Sequence, residues 1–284
     1  MGKLSKEAAK AHREADALTR LERDLTEDER LFVLEHWQES ADTASVLDGA
    51  FFTPMELATE VAHHVHGDRI IDLCAGTGRL AYAARRYWGN ALHLIDRELT
   101  CVEANPEYVR VGRKVLPEAR WIQADVIDIL TLSLGTFDAA ISNPPFGRIK
   151  RSGNAPRYRG PLFELHVMDI AAHLAPTGAH VLPQQSTPFR YSGRVQSSRE
   201  TLPELARFER ETGMTMWFNY GVDTAQWHGE WHGVAPSVEI ACHNVEEDRL
   251  QQEAELAEKT RALAPATAPR PVDTGRYADL LRIA

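Results

Sequence analysis

The chain has 284 residues, of which 43% are apolar, so it can bury one large core with or without helical appendages. No run of 18 apolar residues occurs and the first residues lack an apolar segment, which argues against a membrane span and a secretory signal. The net charge of -9 argues mildly against tight non-specific binding of nucleic acid. Because the acidic residues concentrate near the two ends, the middle of the chain is locally basic.

The first 45 residues have a helical pattern. Residues 3–23 are charged and rich in alanine, and Thr26 with Glu29 forms a capping-box sequence. Apolar residues at helical spacing follow that box, namely Leu31, Leu34 and Trp37. We therefore expect residues 1–48 to be a helical extension that precedes the main domain.

From residue 68, short apolar runs alternate with helical stretches. The predicted strands are 69–73, 99–103, 121–124, 137–142 and 179–183, and the predicted helices are 80–87, 106–115 and 162–174. This alternation predicts an α/β fold with a doubly wound, mainly parallel sheet over residues 49–245. Two last strands, 216–220 and 238–242, fit an antiparallel pair. Residues 246–284 are expected to form a charged helix, a proline-containing linker and a tail.

A glycine-rich turn directly follows the first predicted strand, in Asp72-Leu73-Cys74-Ala75-Gly76-Thr77-Gly78. Glycines let the backbone approach a ligand at the N-terminus of the next helix. The spacing lacks the third glycine of the dinucleotide fingerprint, so the turn alone also fits a purely structural role.

Acidic residues close the next two strands. Glu103 lies where doubly wound nucleotide sites place an acid that binds ribose hydroxyls, with Asp96 as the competing candidate. We prefer Glu103, because Asn105-Pro106 caps the helix that follows it. Asp125 follows the third strand, at a usual position for contacting a base.

The most specific motif is Asn143-Pro144-Pro145-Phe146, at the end of a predicted strand. Two prolines prevent continued sheet pairing and fix a rigid loop. Such a loop can hold a side-chain amide and a backbone carbonyl so that both accept hydrogen bonds from one amino group. The aromatic residue after them can stack on a planar substrate.

These elements, in this order, resemble the amino-group methyltransferases of the N6-adenine DNA type, over about residues 50–185. The resemblance implies a Rossmann-like class I methyltransferase fold, S-adenosylmethionine as the cofactor, and catalysis by Asn143, Pro144, Pro145 and Phe146. Asn143 and Pro144 would accept from the target amino group, and Phe146 would stack on a base flipped out of the helix. The cofactor-binding residues that it implies are Phe52, Thr53, Pro54, Asp72, Cys74, Ala75, Gly76, Gly78, Glu103, Ala104, Asp125, Val126 and Asn143.

No segment after the catalytic motif is large enough for a usual target-recognition domain. Two basic loops, 147–160 and 190–199, are the candidate substitutes, because their cations suit phosphates and an interleaved tyrosine suits stacking. The residues predicted to contact nucleic acid are Arg148, Lys150, Arg151, Arg157, Tyr158, Arg159, Arg190 and Arg194. His228 and His232 are four residues apart, but no third ligand is evident and we expect no metal site.

The predicted partner is double-stranded DNA, with an oligomer or an accessory specificity subunit as further options. We expect an enzyme of the cytoplasm, in a prokaryotic cell or a phage-infected host, phage-borne or part of a restriction–modification set. Three scattered cysteines fit free thiols there. Two alternatives keep the chemistry but change the target to adenine in RNA or to a glutamine amide of a protein. A third is a catalytically silent binding subunit with the same fold.

Overall fold

The computed structural model describes residues 5–38, 51–88, 94–200, 202–218, 221–232 and 235–263. The first compact unit ends at Asp248 and a second begins at Arg249, within one long helix. The predicted linker at 265–271 and the tail after it lie outside the described residues. Within the described part, no helix combines the length and apolarity needed to cross a bilayer.

Eight α-helices and eleven strands are assigned in the described residues. The helices are α1 (Lys6–Thr19), α2 (Glu27–His36), α3 (Met55–His63), α4 (Arg79–Ala84), α5 (Pro106–Val115), α6 (Phe163–Leu174), α7 (Pro203–Thr212) and α8 (Val245–Leu263). The strands are β1 (Arg69–Leu73), β2 (Arg86–Trp88), β3 (Leu94–Asp96), β4 (Glu98–Glu103), β5 (Arg120–Gln123), β6 (Ala139–Ser142), β7 (Thr177–Pro183), β8 (Phe189–Arg190), β9 (Ser198–Arg199), β10 (Trp217–Phe218) and β11 (Val238–Asn244).

Seven strands form one sheet in the order β10-β11-β7-β6-β1-β4-β5. The five strands from β7 to β5 are parallel, and β11 pairs antiparallel with both β7 and β10. The predicted doubly wound, mainly parallel sheet and its antiparallel end are therefore confirmed. Because β1 is central and pairs with β4 and β6, the loops after these three strands meet at one edge of the sheet.

Strand alternation divides the core between the two faces of the sheet. On β1, Ile70 joins a cluster with α3 and α5, whereas Ile71 joins a cluster with α6, and both residues are fully buried. Successive side chains of a strand point to opposite faces, so a continuous apolar run is expected for a strand covered on both sides.

The predicted helix 80–87 is wrong at its end. Helix α4 stops at Ala84, and β2 pairs antiparallel with β3 in a separate two-stranded hairpin. The Arg86 guanidinium pairs with Asp96, and the Tyr87 hydroxyl donates to Asp68. These contacts, with the preference of consecutive aromatic residues for strands, favour the hairpin over another helical turn.

The N-terminal helices pack on the main domain. The capping box at Thr26 and Glu29 is present with both reciprocal hydrogen bonds. Val33 and Trp37 are buried in the same apolar cluster as α5. Arg110 of α5 also bonds to α1, since its guanidinium contacts Thr19 Oγ1 at 3.0 Å.

Candidate functional site

A cavity of about 700 Å³ lies at the carboxyl ends of β1, β4, β5 and β6. Its size falls in the range of sites for cofactor-sized ligands. The residues predicted for the cofactor that line this cavity are Phe52, Thr53, Cys74, Ala75, Gly76, Glu103, Ala104, Asp125, Val126 and Asn143. Five separate segments of sequence thus meet around one space.

The glycine-rich turn lies at the floor of this cavity in a left-handed backbone conformation. Cys74, Gly76 and Gly78 have φ of 62°, 58° and 91°. A Cβ atom on Gly76 would lie 3.0 Å from Cε1 of Phe52, so glycine is needed there for both conformation and space. Gly78 does not line the cavity and serves as the N-cap of α4.

The carboxylate of Glu103 holds the turn to the next loop. Its Oε2 accepts from the Gly76 amide and its Oε1 accepts from the Asn105 amide, both at 2.8 Å. Burial raises the pKa of this carboxyl, while the backbone amides that bond to it act in the opposite direction. Asp96, the competing acid, lies on β3 with an exposed side chain and is not in the cavity lining.

We predict that Glu103→Ala weakens S-adenosylmethionine binding by about tenfold or more, because a buried charged acceptor is lost. Titration calorimetry measures the change, and Glu103→Gln, which retains one carbonyl acceptor, should lose less. Asp96→Ala is the control and should bind like the wild type. A larger loss of affinity in Asp96→Ala than in Glu103→Ala would show that Asp96, and not Glu103, binds the ribose hydroxyls of the cofactor.

Asp125 lies beneath the loop that follows the Asn-Pro-Pro-Phe motif. Its Oδ1 accepts from the Ile127 amide and its Oδ2 from the Ser152 hydroxyl, both at 2.9 Å. Ser152 belongs to the basic loop 147–160, which therefore crosses the part of the cavity where a base contact was predicted.

Acidic groups dominate the electrostatics of the turn. Burial raises the pKa of the Cys74 thiol well above its usual range, and the charges of Glu103, Asp72 and Asp125 add to this rise. The thiol therefore stays neutral. Asp72 itself lies under the turn, where its Oδ2 accepts from the Ala81 amide at 3.1 Å, and does not line the cavity.

The side chain of Asn143 is held in one orientation. Its Nδ2 donates to the Phe51 carbonyl at 2.8 Å and to Thr53 Oγ1 at 2.9 Å. Because both N–H groups are used, the remaining capacity of the amide is the acceptor Oδ1. The segment 51–54 and the Asn-Pro-Pro-Phe motif are thus directly connected.

Some predicted residues lie beside the cavity without lining it. Pro144 is buried, and Phe146 is half-buried against the apolar cluster. Pro145 lines the cavity, whereas Pro54 is the N-cap of α3.

Aromatic side chains packed around Phe52 at the cavity were not predicted from the sequence. Phe52 lies between Tyr108, at a ring-centroid distance of 5.0 Å, and Trp37, at 5.9 Å. Trp37 comes from the N-terminal extension, which therefore supports the residue that packs on Gly76. Tyr108 and Arg79 also line the cavity, and the Arg79 guanidinium donates to the Thr53 carbonyl at 3.1 Å. Tyr108 could have been predicted, because it lies early in the helix that directly follows Glu103.

Three residues predicted to contact nucleic acid have structural partners within the fold. Tyr158 is fully buried, and its hydroxyl donates to Glu204 at 2.6 Å, so its ring cannot stack on a base. Arg157 is paired with the buried Asp169 at 2.7 Å. Arg190 is buried and donates to the Thr187 carbonyl at 2.6 Å. Burial of Tyr158 and Arg190 argues against the predicted contacts of these two side chains, whereas the contact predicted for the partly exposed Arg157 stays a prediction. A sequence does not show which loop cations find partners in the fold.

The other predicted cations divide into two groups. Arg151 bonds to Asn154 and to the Gly160 carbonyl, and Arg159 donates to the Pro156 carbonyl at 2.8 Å. Arg148 and Lys150 are exposed and line the cavity, and Arg194 is exposed on the second basic loop.

Helix α6 holds the basic loop through three fully buried polar side chains. Glu164 accepts from the Gly147 amide, His166 Nδ1 accepts from the Ala155 amide, and Asp169 accepts from the Tyr158 amide. The loop is therefore fixed at its start, middle and end, while Arg148 and Lys150 stay exposed.

A buried row of polar side chains lies beside Asn143. His243 Nε2 contacts the Ala175 carbonyl at 3.2 Å, His180 Nε2 contacts His243 Nδ1 at 2.9 Å, and Ser142 Oγ contacts His180 Nδ1 at 2.8 Å. A carbonyl can only accept, so both rings carry their proton on Nε2 and Ser142 donates. Burial lowers the pKa of His243 to about 4, and burial also lowers that of His180.

This row predicts acid sensitivity of the fold. His243 takes up a proton near pH 6.5 in the unfolded chain but only near pH 4 in the folded protein. The contribution of the neutral His243 to the free energy of unfolding is therefore complete above about pH 6.5 and is lost as the pH falls from 6.5 to 4. We expect His243 to account for about 2 kcal/mol of the loss between pH 7.5 and pH 5. Urea unfolding at the two pH values measures it. His243→Gln should lose less on acidification, whereas the exposed control His63→Gln should lose as much as the wild type.

Among the described residues, which include His228 and His232, no group of three or more His, Cys, Asp or Glu side chains is placed to hold a metal ion. Trp227 and Trp231 are buried in the core, and the indole of Trp227 donates to Glu56 at 2.9 Å.

Known proteins resemble this chain over most of the residues that form the cavity. The family "Methyltransferase small domain" matches residues 54–158, which contain the turn, Glu103, Asp125 and the Asn-Pro-Pro-Phe motif. The fold is that of a class I methyltransferase. S-adenosylmethionine is the cofactor of this fold, as the sequence predicted.

Individual proteins resemble the chain in part. A release factor glutamine methyltransferase from Corynebacterium glutamicum is 37% identical over 93 residues, which are 31% of this chain and 31% of that protein. A type I restriction–modification methyltransferase subunit from Streptococcus thermophilus has a TM-score of 0.52 at 16% identity, over 77% of this chain and 48% of that one. A modification subunit of a putative type I restriction enzyme from Vibrio vulnificus gives 0.51 at 13%, over 78% and 50%. The chain thus spans a third to a half of these proteins, and the two structures show the shared methyltransferase fold.

Proposed function

We propose that this protein transfers a methyl group from S-adenosylmethionine to the exocyclic N6 amino group of adenine in DNA. The observation that carries the proposal is the orientation of Asn143, whose two N–H groups bond to Phe51 and Thr53 and leave Oδ1 as an acceptor at the cavity. The Pro144 carbonyl follows it in the chain. On the proposal, this carbonyl and Asn143 Oδ1 would both accept from one planar amino group, which a hydroxyl or a carbon atom would not satisfy.

The cavity fits the cofactor on its own features. Glu103 supplies a buried carboxylate, and Gly76 leaves room that a Cβ would fill. The bound cofactor supplies an electrophilic methyl group on a sulfonium. The acceptors at Asn143 and Pro144 would align the target nitrogen and stabilise the positive charge that develops on it, so catalysis is mainly positioning and electrostatics.

Two cations at the cavity support a nucleic acid as the substrate. Arg148 and Lys150 are exposed, line the same cavity as Asn143 and pair with no acid within the described residues. A positive charge there does not help a cationic cofactor, but it does help to bind a phosphate next to the target base. The order of the motifs, which resembles the N6-adenine DNA enzymes, favours DNA over RNA.

A protein glutamine amide is the second candidate, favoured by the partial match to a release factor glutamine methyltransferase. Its NH2 group would make the same two hydrogen bonds. The exposed cations at the cavity support the nucleic acid, because a glutamine side chain brings no phosphate. On our proposal the enzyme works in the cytoplasm on double-stranded DNA, as part of a restriction–modification set or for a phage, with an oligomer or a specificity subunit as a further option.

The test is incubation of the full chain with radiolabelled S-adenosylmethionine and, separately, adenine-methylation-free genomic DNA, total RNA and a purified release factor. Nuclease digestion and mass detection of N6-methyladenine in the DNA arm is the expected result. Label in the RNA or protein arm alone would replace the proposed substrate, and no transfer in any arm would favour a silent binding subunit.

Charge-removing variants test the role of the cations. We expect Arg148→Gln/Lys150→Gln to lower the slope of log affinity against log salt for duplex DNA by about 2, since two phosphate contacts are lost. Cofactor affinity should not change. The control is Lys6→Gln/Arg13→Gln, which removes two exposed cations of α1 and should keep the wild-type slope. Equal slopes in both double variants would show that the loop does not contact the DNA backbone.

A further inference from the structure

The hairpin formed by β8 and β9, residues 189–199, carries an unusual apolar side chain at its tip. Val195 is 104% exposed, more than any other exposed large aliphatic residue of the described part, so its side chain contacts nothing in the protein. A single exposed apolar residue is ordinary on a protein surface. Val195 differs because the hairpin that carries it is anchored to the sheet and leaves the same sheet edge as the Asn-Pro-Pro-Phe motif.

The base of the hairpin is rigidly anchored. Glu239 of β11 is fully buried, and its Oε1 accepts from the amides of Tyr191 and Ser192 at 2.8 and 2.9 Å. Its Oε2 accepts from the Ser192 hydroxyl at 2.8 Å. The amide of Gly193 donates to Asp223 at 2.8 Å. Burying a carboxylate is costly unless it is fully hydrogen-bonded, so this anchor fixes the hairpin firmly while its tip extends into solvent.

The hairpin is also connected to the catalytic motif. Glu164 accepts from the Gly147 amide, directly after Phe146, and also from the hydroxyl of Ser186 at 2.6 Å. Ser186 lies between the end of β7 and the start of the hairpin. Because β6 and β7 are parallel neighbours, the motif after β6 and the hairpin after β7 leave the sheet at the same edge.

The charge of the tip fits a polyanion. Arg194 and Arg199 are exposed and form no ion pair with a described residue, and residues 191–199 contain no acid. Glu200, the next residue, is paired with Arg190 at 3.6 Å. An exposed valine between two exposed arginines on a fixed support has the composition of an apolar wedge flanked by groups that can bind phosphates.

We propose that Val195 is a wedge that enters duplex nucleic acid at the step beside the target base and replaces the stacking lost when that base is extruded. The proposal rests on the proposed function, because an amino group inside a duplex is reached only after base extrusion. A wedge lowers the cost of extrusion and leaves the chemical step unchanged. Its contribution therefore depends on how firmly the target base is paired.

The experiment compares two duplexes of the sequence that the wild type methylates, one with the target adenine paired to thymine and one with it opposite cytosine. A mismatched base is easier to extrude. For Val195→Ser we expect kcat/KM to fall about tenfold on the paired duplex and by less than about threefold on the mismatched one, because an aliphatic wedge helps only where the base must still be unstacked. Arg194→Ala should instead reduce kcat/KM on the two duplexes to a similar extent, because it removes a proposed phosphate contact.

The matched control is Leu94→Ser, which removes an exposed aliphatic side chain from the other hairpin, β2–β3, and should leave both rates unchanged. An equal loss on the two duplexes, or no loss, in Val195→Ser would overturn the wedge while the proposed function stands. If the wild type methylates RNA or protein and no DNA, both the DNA function and the wedge are overturned. Thermal unfolding of each variant excludes misfolding as the cause.

Discussion

Replacement of Asn143 by alanine is expected to lower the rate of methyl transfer by about a hundredfold to a thousandfold while cofactor binding is retained, in line with the loss of one preorganised polar group at a reacting centre. The acceptor Oδ1 gains importance as the attacking nitrogen becomes positive, so its removal acts mainly on the transition state. Single-turnover kinetics with saturating cofactor and substrate measure the loss in kcat directly.

Two variants separate this chemical role from simple disorder of the loop. Thr53→Val removes one of the two acceptors that orient the amide and should cause a smaller loss than Asn143→Ala. Asn154→Ala removes an exposed amide in the next loop, which bonds to Arg151, and should be close to wild type. Full activity of Asn143→Ala on any substrate would refute the mechanism and leave the fold unaffected.

Gly76→Val is expected to abolish binding of S-adenosylmethionine in calorimetry. At φ of 58° a β-branched residue is strained, and its Cβ would lie only 3.0 Å from the Phe52 ring. The side chain would also occupy space at the floor of the cavity that Gly76 lines. Circular dichroism should show that the sheet still forms, because Gly76 lies in a loop.

The matched control is Gly135→Val. Gly135 also has a left-handed φ, of 83°, but a Cβ there meets nothing within 4 Å. This variant therefore reproduces the backbone strain without blocking the cavity, and it should bind the cofactor normally at a small cost in stability. If both variants lose binding to the same degree, strain and not occlusion is responsible, and the assignment of the turn loses its support.

Local chemistry made much of the fold predictable. The capping box of α2 needs only Thr26 and Glu29, and the strand β1 needs only a short apolar run before a glycine turn. The placement of the turn, Glu103, Asp125 and Asn143 around one cavity followed from the rule that parallel strands end at one edge. Their binding and catalytic roles stay predictions that the variants above test.

Contacts between residues that are distant in sequence were not predictable in the same way. Arg157 and Arg148 have the same side chain nine residues apart, yet one is paired with buried Asp169 and the other is exposed at the cavity. Tyr158 shows the same problem, since a tyrosine among arginines reads as a stacking residue but is fully buried. The β2–β3 hairpin escaped prediction because its pairing depends on contacts with Asp68 and Asp96.

By itself, the sequence determined the alternation of strands and helices, the glycine turn and the Asn-Pro-Pro-Phe motif, because each depends on backbone preferences within a few residues. Only the tertiary structure decided which cations stay free, which aromatic residues wall the cavity, and how Asn143 is oriented. These features depend on which distant groups satisfy each buried polar atom. Trp37 supports Phe52, and Glu239 anchors the hairpin of Val195, across separations that no local pattern encodes.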